Sequence, residues 1–160
     1  MVNKKQMLSL ISETLQEIGL HSEDAVSLVY NTGLVESKYE YLYQKGGSHV
    51  ARGFFQCEPH NAVDICKNYL AYRDELMREV ASACMIDWRY FTSPNEDAWR
   101  IILTYNIKAQ IAMCRLHWRR VPKKLPKTIK GQAEQWKVYY NTARGKGTVD
   151  HFIKLVEAYG

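Results

Sequence analysis

Apolar residues recur along this chain at three- and four-residue intervals, the spacing that lines one face of an α-helix. Met7, Leu8, Ile11, Leu15 and Ile18 form a first stripe, and Gly19 stops it at the C-cap position. Ser22 is placed to cap a second helix, with Glu23 and Asp24 in its first turn. Ala25, Val26, Leu28, Val29, Leu34 and Val35 carry that helix to about Glu36. Gly33 inside it costs up to about 1 kcal/mol relative to alanine. It marks a close backbone approach or an early break. Periodicity is lost over residues 38–52, where Gly46-Gly47-Ser48 predicts a loop or short irregular ribbon.

Helical signals then resume. Pro59 suits the N1 position of a helix over about 59–70, and a short helix is expected from Arg73 to Cys84. Ser93-Pro94-Asn95-Glu96 has the form of a capping box with proline at N1. It is expected to open the longest helix, with Trp99, Ile102, Leu103, Ile107, Ile111 and Cys114 on its apolar line. Pro122 and Pro126 bracket a basic linker, Thr128 to Tyr140 is helical again, and Thr148 can cap a last helix to Tyr159. The pattern predicts an all-α, mostly helical protein of seven or eight helices, with an irregular loop or small ribbon near 38–55. Residues 1–160 form one domain, large enough to bury roughly 70% of the unfolded surface.

Composition narrows the partners. Hydrophobic residues make up 46% and charged residues 24%, which argues against disorder. The net charge is +5 and the pI about 9.0. Basic residues gather at Arg115, Arg119, Arg120, Lys123, Lys124, Lys127 and Lys130, and again at Arg144 and Lys146. Such a surface suits nucleic acid, membrane or an anionic wall polymer, but a solvated helix end and loop explain it better. No nucleic-acid-binding motif is present, so no specific nucleic-acid partner is expected. No stretch reaches the length of a membrane span, and Met1 to Lys5 leads into an amphipathic pattern instead of a signal peptide. Synthesis in the cytoplasm without Sec export is therefore expected. The cysteines (Cys57, Cys66, Cys84, Cys114) are too sparse for a disulfide scaffold and read as buried thiols. The pairs Cys57/His60 and Cys114/His117 match no zinc module in their spacing, so neither metal nor cofactor is expected.

Two segments carry candidate chemistry. Glu36-Ser37-Lys38-Tyr39 ends an apolar helix, and Gly53-Phe54-Phe55-Gln56-Cys57-Glu58-Pro59 is a glycine-led apolar turn running into another. A glutamate at a helix C-terminus beside an apolar turn has its pKa raised by partial burial and by the negative end of the helix dipole. That is what a general acid working near neutral pH needs. An ordinary surface glutamate would read the same if the segment stood alone.

Glu36-Ser37-Lys38-Tyr39 is similar to the E-S-x-aromatic motif of the soluble lytic transglycosylase and goose-type lysozyme family. The stretch from Ala51 to Ala62 resembles that family's A-x-G-(apolar)-(apolar)-Q-x-x-P-x-x-A signature, and Tyr140-Asn141 before Gly145 and Gly147 resembles its tyrosine-asparagine signature. The loop between the first two motifs is about two residues longer than the family pattern, and Thr142-Ala143 stands where a small residue and a glycine are usual. The resemblance implies a lysozyme-like α+β fold and cleavage of the bond between N-acetylmuramic acid and N-acetylglucosamine. Glu36 would serve as acid and then base, closing a 1,6-anhydro ring without water. It implies substrate contacts from Ser37, Tyr39, Gly53, Phe54, Gln56, Tyr140 and Asn141, with Tyr140 and Asn141 bracing Glu36 or holding an acetamido group. Ser37, Gly53, Phe54, Phe55, Gln56 and Tyr39 each have a plain packing or turn role as the alternative.

The style is that of phage-encoded versions, acting on bacterial wall as part of a virion or as an endolysin. Peptidoglycan strands are the expected partner, with other virion or tail proteins beside them. A hydrolytic muramidase would need a second carboxylate about 6.5–9.5 Å away, for which Glu40, Glu58 and Asp64 are candidates. A catalytically silent structural or wall-binding module of the same fold is the alternative of another class.

Overall fold

The computed structural model describes residues 1–43, 50–142 and 145–160. Gly46-Gly47-Ser48 and Ala143-Arg144 lie outside the described residues. The helices are α1 (Lys4–Glu17), α2 (Glu23–Ser37), α3 (Pro59–Asn68), α4 (Asp74–Cys84), α5 (Arg89–Thr92), α6 (Glu96–Tyr105), α7 (Ile107–Arg119), α8 (Ile129–Gln135) and α9 (Val149–Tyr159). A 3₁₀ turn, Leu70–Tyr72, follows α3, and a π-helical turn, Trp136–Asn141, continues α8. Among the described residues the expected ribbon amounts to two isolated antiparallel bridges, Tyr43 with Arg52 and Arg52 with Cys57.

α2 and α7 form the interior. From Leu28 to Leu34 every residue of α2 is buried, as is every residue of α7 from Ala109 to Leu116. Helices that are apolar on all sides must be enclosed by others. α1 packs on both of them, α4 and α3 on α7, and α9 on α2. Polar groups carried into this interior are paired across helices, apart from Gln110 Nε2 and Arg115 Nη1, which have no hydrogen-bond partner among the described residues. The Asn31 side chain donates to Gln132 Oε1 at 2.8 Å, and the Trp118 indole donates to Thr32 Oγ1 at 3.1 Å.

The caps at Ser22 and Thr148 form as expected, and Thr128, expected inside its helix, also caps it, each side-chain oxygen accepting a backbone N–H from the first turn. The long helix expected from residue 94 through Cys114 is instead two. Its capping residue is Asn95, not Ser93, with Oδ1 accepting from Ala98 N at 2.8 Å. Ser93 N donates to Arg89 O and closes α5, a short helix the apolar pattern did not predict. Asn106 then breaks the run. Its backbone is extended (φ −107°, ψ 99°), its Oδ1 accepts from Ala109 N at 2.9 Å, and its amide donates to Cys84 O at 2.9 Å. An asparagine that caps the next helix and ties down the end of α4 overrides an unbroken apolar stripe.

Gly33 lies within α2 and marks no break. A Cβ there would stand 2.3 Å from Tyr39 Oη, so the close approach is made by a side chain and not by a second backbone. The basic run is also dispersed: Arg115 is buried with Nε donating to Leu20 O, Arg120 pairs with Asp64, and Lys127 pairs with Asp24. All four cysteines are free, and three are buried.

Candidate active site

Glu36 occupies the last turn of α2. Lys38 N donates to Leu34 O, and Lys38 and Tyr39 both take left-handed backbone conformations (φ 54° and 57°), which swing the chain back over the helix. Ser37 stabilises this reversal. Its hydroxyl donates to Gly33 O at 3.3 Å and accepts from Tyr39 N at 3.0 Å. Tyr39 then drops into the core, 2% exposed, donates its hydroxyl to Tyr30 O at 2.7 Å and packs its ring on Tyr30, Phe54 and Phe55.

The glycine-led turn lies alongside. Gly53 has φ 77°, and a Cβ on it would sit 2.7 Å from both Gln110 Cδ and Leu103 O. The close approach here is to protein. Phe54 N donates to Gln110 Oε1 at 3.0 Å, and Gln56 donates both its backbone N–H and its side-chain amide to Gly53 O. Phe54 and Phe55 are 6% and 1% exposed. Ser37, Tyr39, Gly53 and Phe54 are thus scaffold. The expectation that they touch substrate is corrected: each is buried and spent on the turn or the core. Gln56 is half-buried, with its amide held by the turn, yet it also edges the groove described below.

The third segment brings the chemistry together. Within the π-helical turn the buried Trp136 indole donates to Glu36 Oε1 at 2.9 Å. Wide turns of this kind are rare and recur at functional sites. Tyr140, one turn on, stacks its ring on Trp118 and donates its hydroxyl to Phe55 O at 2.6 Å. Asn141 accepts from Lys137 Nζ at 2.9 Å. The expected bracing of Glu36 by Tyr140 and Asn141 is corrected accordingly, because Trp136 makes that contact. Tyr140 and Asn141 instead line a groove of about 570 Å³ together with Gln56, Cys57, Asn61 and His117. Glu36 is not among the residues lining that groove; its tie to it is electrostatic, through Tyr140 and Cys114.

The carboxyl of Glu36 is raised from 4.5 to about 7. Burial is the larger cause, offset in part by the Trp136 bond, which stabilises the charged form. Its place at the C-terminal end of α2 acts in the same upward direction. Among the described residues no lysine or arginine pairs with it, and Lys38 lies over the Tyr159 ring instead. The Tyr140 phenol is held well above its ordinary value by burial, then by Cys114, Cys57 and the Glu36 carboxylate. Cys114 is raised by burial, then by Cys57 and Glu36. One acid, one phenol and two thiols therefore share a poorly hydrated region.

Of the three carboxylates considered as partners, Asp64 is engaged by Arg120 and Asn68, and Glu40 is exposed. Glu58 borders the groove and is bonded to His60. Trp136 was not anticipated as a site residue, although it lies one helical turn before Tyr140 in the third motif. No family model, curated protein or solved structure matches this chain.

Proposed function

We propose that this protein cleaves the glycan strand of peptidoglycan as a lytic transglycosylase, with Glu36 as both acid and base. The observation that carries this reading is a glutamate at the end of α2 whose Oε1 accepts from the buried Trp136 indole, in a setting where burial raises its carboxyl to about 7. A carboxyl with that midpoint holds a proton in a large share of molecules at neutral pH and can also accept one back.

In the forward step protonated Glu36 gives its proton to the glycosidic oxygen as the bond from muramic-acid C1 breaks through an oxocarbenium-like transition state. The carboxylate so formed takes the proton of the muramic C6 hydroxyl, and that oxygen closes on C1. The glutamate ends protonated, no water enters, and the products are a 1,6-anhydro end and a free hydroxyl on the released sugar. The Trp136 bond favours the charged form and therefore helps after proton donation and not before it. The groove beside Tyr140 and Asn141 offers amide and phenol groups of the kind that meet acetamido and hydroxyl groups of a sugar. Where such a protein comes from a phage, the same activity fits a virion component or an endolysin.

Digestion of purified peptidoglycan followed by mass spectrometry of the released muropeptides tests this. Anhydro products that disappear in Glu36→Gln are expected. Products one water heavier would move the reading to a muramidase, with Glu58 the first carboxylate to examine. Absence of any Glu36-dependent release would refute glycan cleavage altogether and leave a silent wall-binding or structural module.

A further inference from the structure

His117 projects from the last turn of α7 toward the π-helical turn. Its Nε2 lies 2.7 Å from Tyr139 O, and its ring centroid is 4.6 Å from that of Tyr140. A nitrogen at that distance from a carbonyl oxygen must carry the hydrogen, so the ring donates from Nε2. The ring is held neutral at pH 7. Burial lowers its pKa most, Arg120 lowers it further, and the Tyr139 bond opposes them. Tyr139 belongs to the final turn of a helix that ends at Asn141, where carbonyls lack partners further along the chain.

A π turn is less common than the α-helix it replaces and persists where outside contacts favour it. Contacts from outside the turn include Tyr140 to Phe55 O, Lys137 to Gly145 O, Trp136 to Glu36 Oε1 and His117 to Tyr139 O. The same turn carries Trp136 at its first position. We propose that His117 is a positioning residue, which by donating to Tyr139 O keeps the wide turn in the register that aims the Trp136 indole at Glu36. It makes no hydrogen bond to Glu36. Its effect travels through backbone: with Tyr139 O released, the turn tightens, the indole leaves Oε1, and the glutamate loses the one bond that favours its charged form.

The test reads Glu36 directly. Carbon-13 labelling of glutamate, with Glu36→Gln to assign the resonance, gives the carboxyl midpoint by NMR titration. Trp136→Phe sets the scale, and its midpoint is expected to rise by about one pH unit with loss of a bond to a charged acceptor. His117→Phe, which keeps an aromatic ring but cannot donate, is expected to shift the midpoint in the same direction. His117→Gln, whose amide can donate from the same place, is expected to restore the wild-type value. His117→Met supplies a second donor-free variant should the phenylalanine not fold. A wild-type midpoint in a folded donor-free variant overturns the inference, as does a glutamine variant displaced as far as the phenylalanine one. The inference extends the proposed role of Glu36 but is read without turnover. A shifted midpoint in a protein that releases no muropeptides would sink the glycan-cleavage reading and leave His117 in its place.

Discussion

Replacing Glu36 by glutamine should make the protein more stable at pH 8 and leave it unchanged near pH 4.5. The folded carboxyl titrates at about 7 against 4.5 for the unconstrained group, a gap of about 2.5 units. At about 1.4 kcal/mol per unit this amounts to about 3 kcal/mol. The sign follows from proton binding. Between pH 4.5 and 7 the folded state keeps a proton that the unfolded state has lost, so stability falls as pH rises through that window and levels off above it. Glutamine never acquires the charge and does not share that loss. Partial exposure of Glu36 screens the effect and brings the expected gain nearer to about 2 kcal/mol. For a chain of this size that is a rise in Tm of roughly 4–8 °C. Urea unfolding of both proteins at pH 4.5, 6 and 8, followed by circular dichroism, measures the difference directly, since every other titrating group cancels. An advantage for the variant that is equal at all three pH values, or absent at pH 8, would refute a raised carboxyl at this position.

Other expectations follow from single contacts. Asn106→Ala should destabilise by about 2 kcal/mol in urea melts, because it removes the α7 cap and the tie to Cys84 O together; an effect below about 0.5 kcal/mol would deny that Asn106 enforces the break. Gly53→Ala meets both a left-handed φ and a backbone oxygen at 2.7 Å, so soluble yield and melting temperature should fall sharply. Burial pushes the thiols of Cys57, Cys66 and Cys84 up to about 12, and labelling by a disulfide reagent at pH 8 should therefore be slow until urea is added. Fast labelling in the native protein would contradict the packing around them.

What could be read from the chain, and what could not, divides by distance along it. Ser22 and Thr148 act on amides three residues away, so the side chain and its target are visible together, and these caps form where expected. Asn106 was missed because the apolar line from Trp99 to Cys114 continues through it without a change of phase, and its decisive partner, Cys84 O, belongs to another helix. The placement of Glu36 at a helix end was legible from the stripe that precedes it. Its hydrogen-bond donor was not, since Trp136 lies 100 residues away and reads as one more core aromatic. Ser37, Tyr39, Gly53 and Phe54 were drawn into the expected substrate contacts by motif alone. A motif records that residues recur together and does not say whether they face a ligand or each other.

Gly33 and Tyr39 close on one another across the end of α2, with the glutamate between them in sequence. Grafting only residues 36–39 onto a foreign scaffold would leave the tyrosine nowhere to lodge, and the acid would swing out into bulk solvent with an ordinary titration. The transplantable cassette runs from the bare spot on the helix to the ring that fills it.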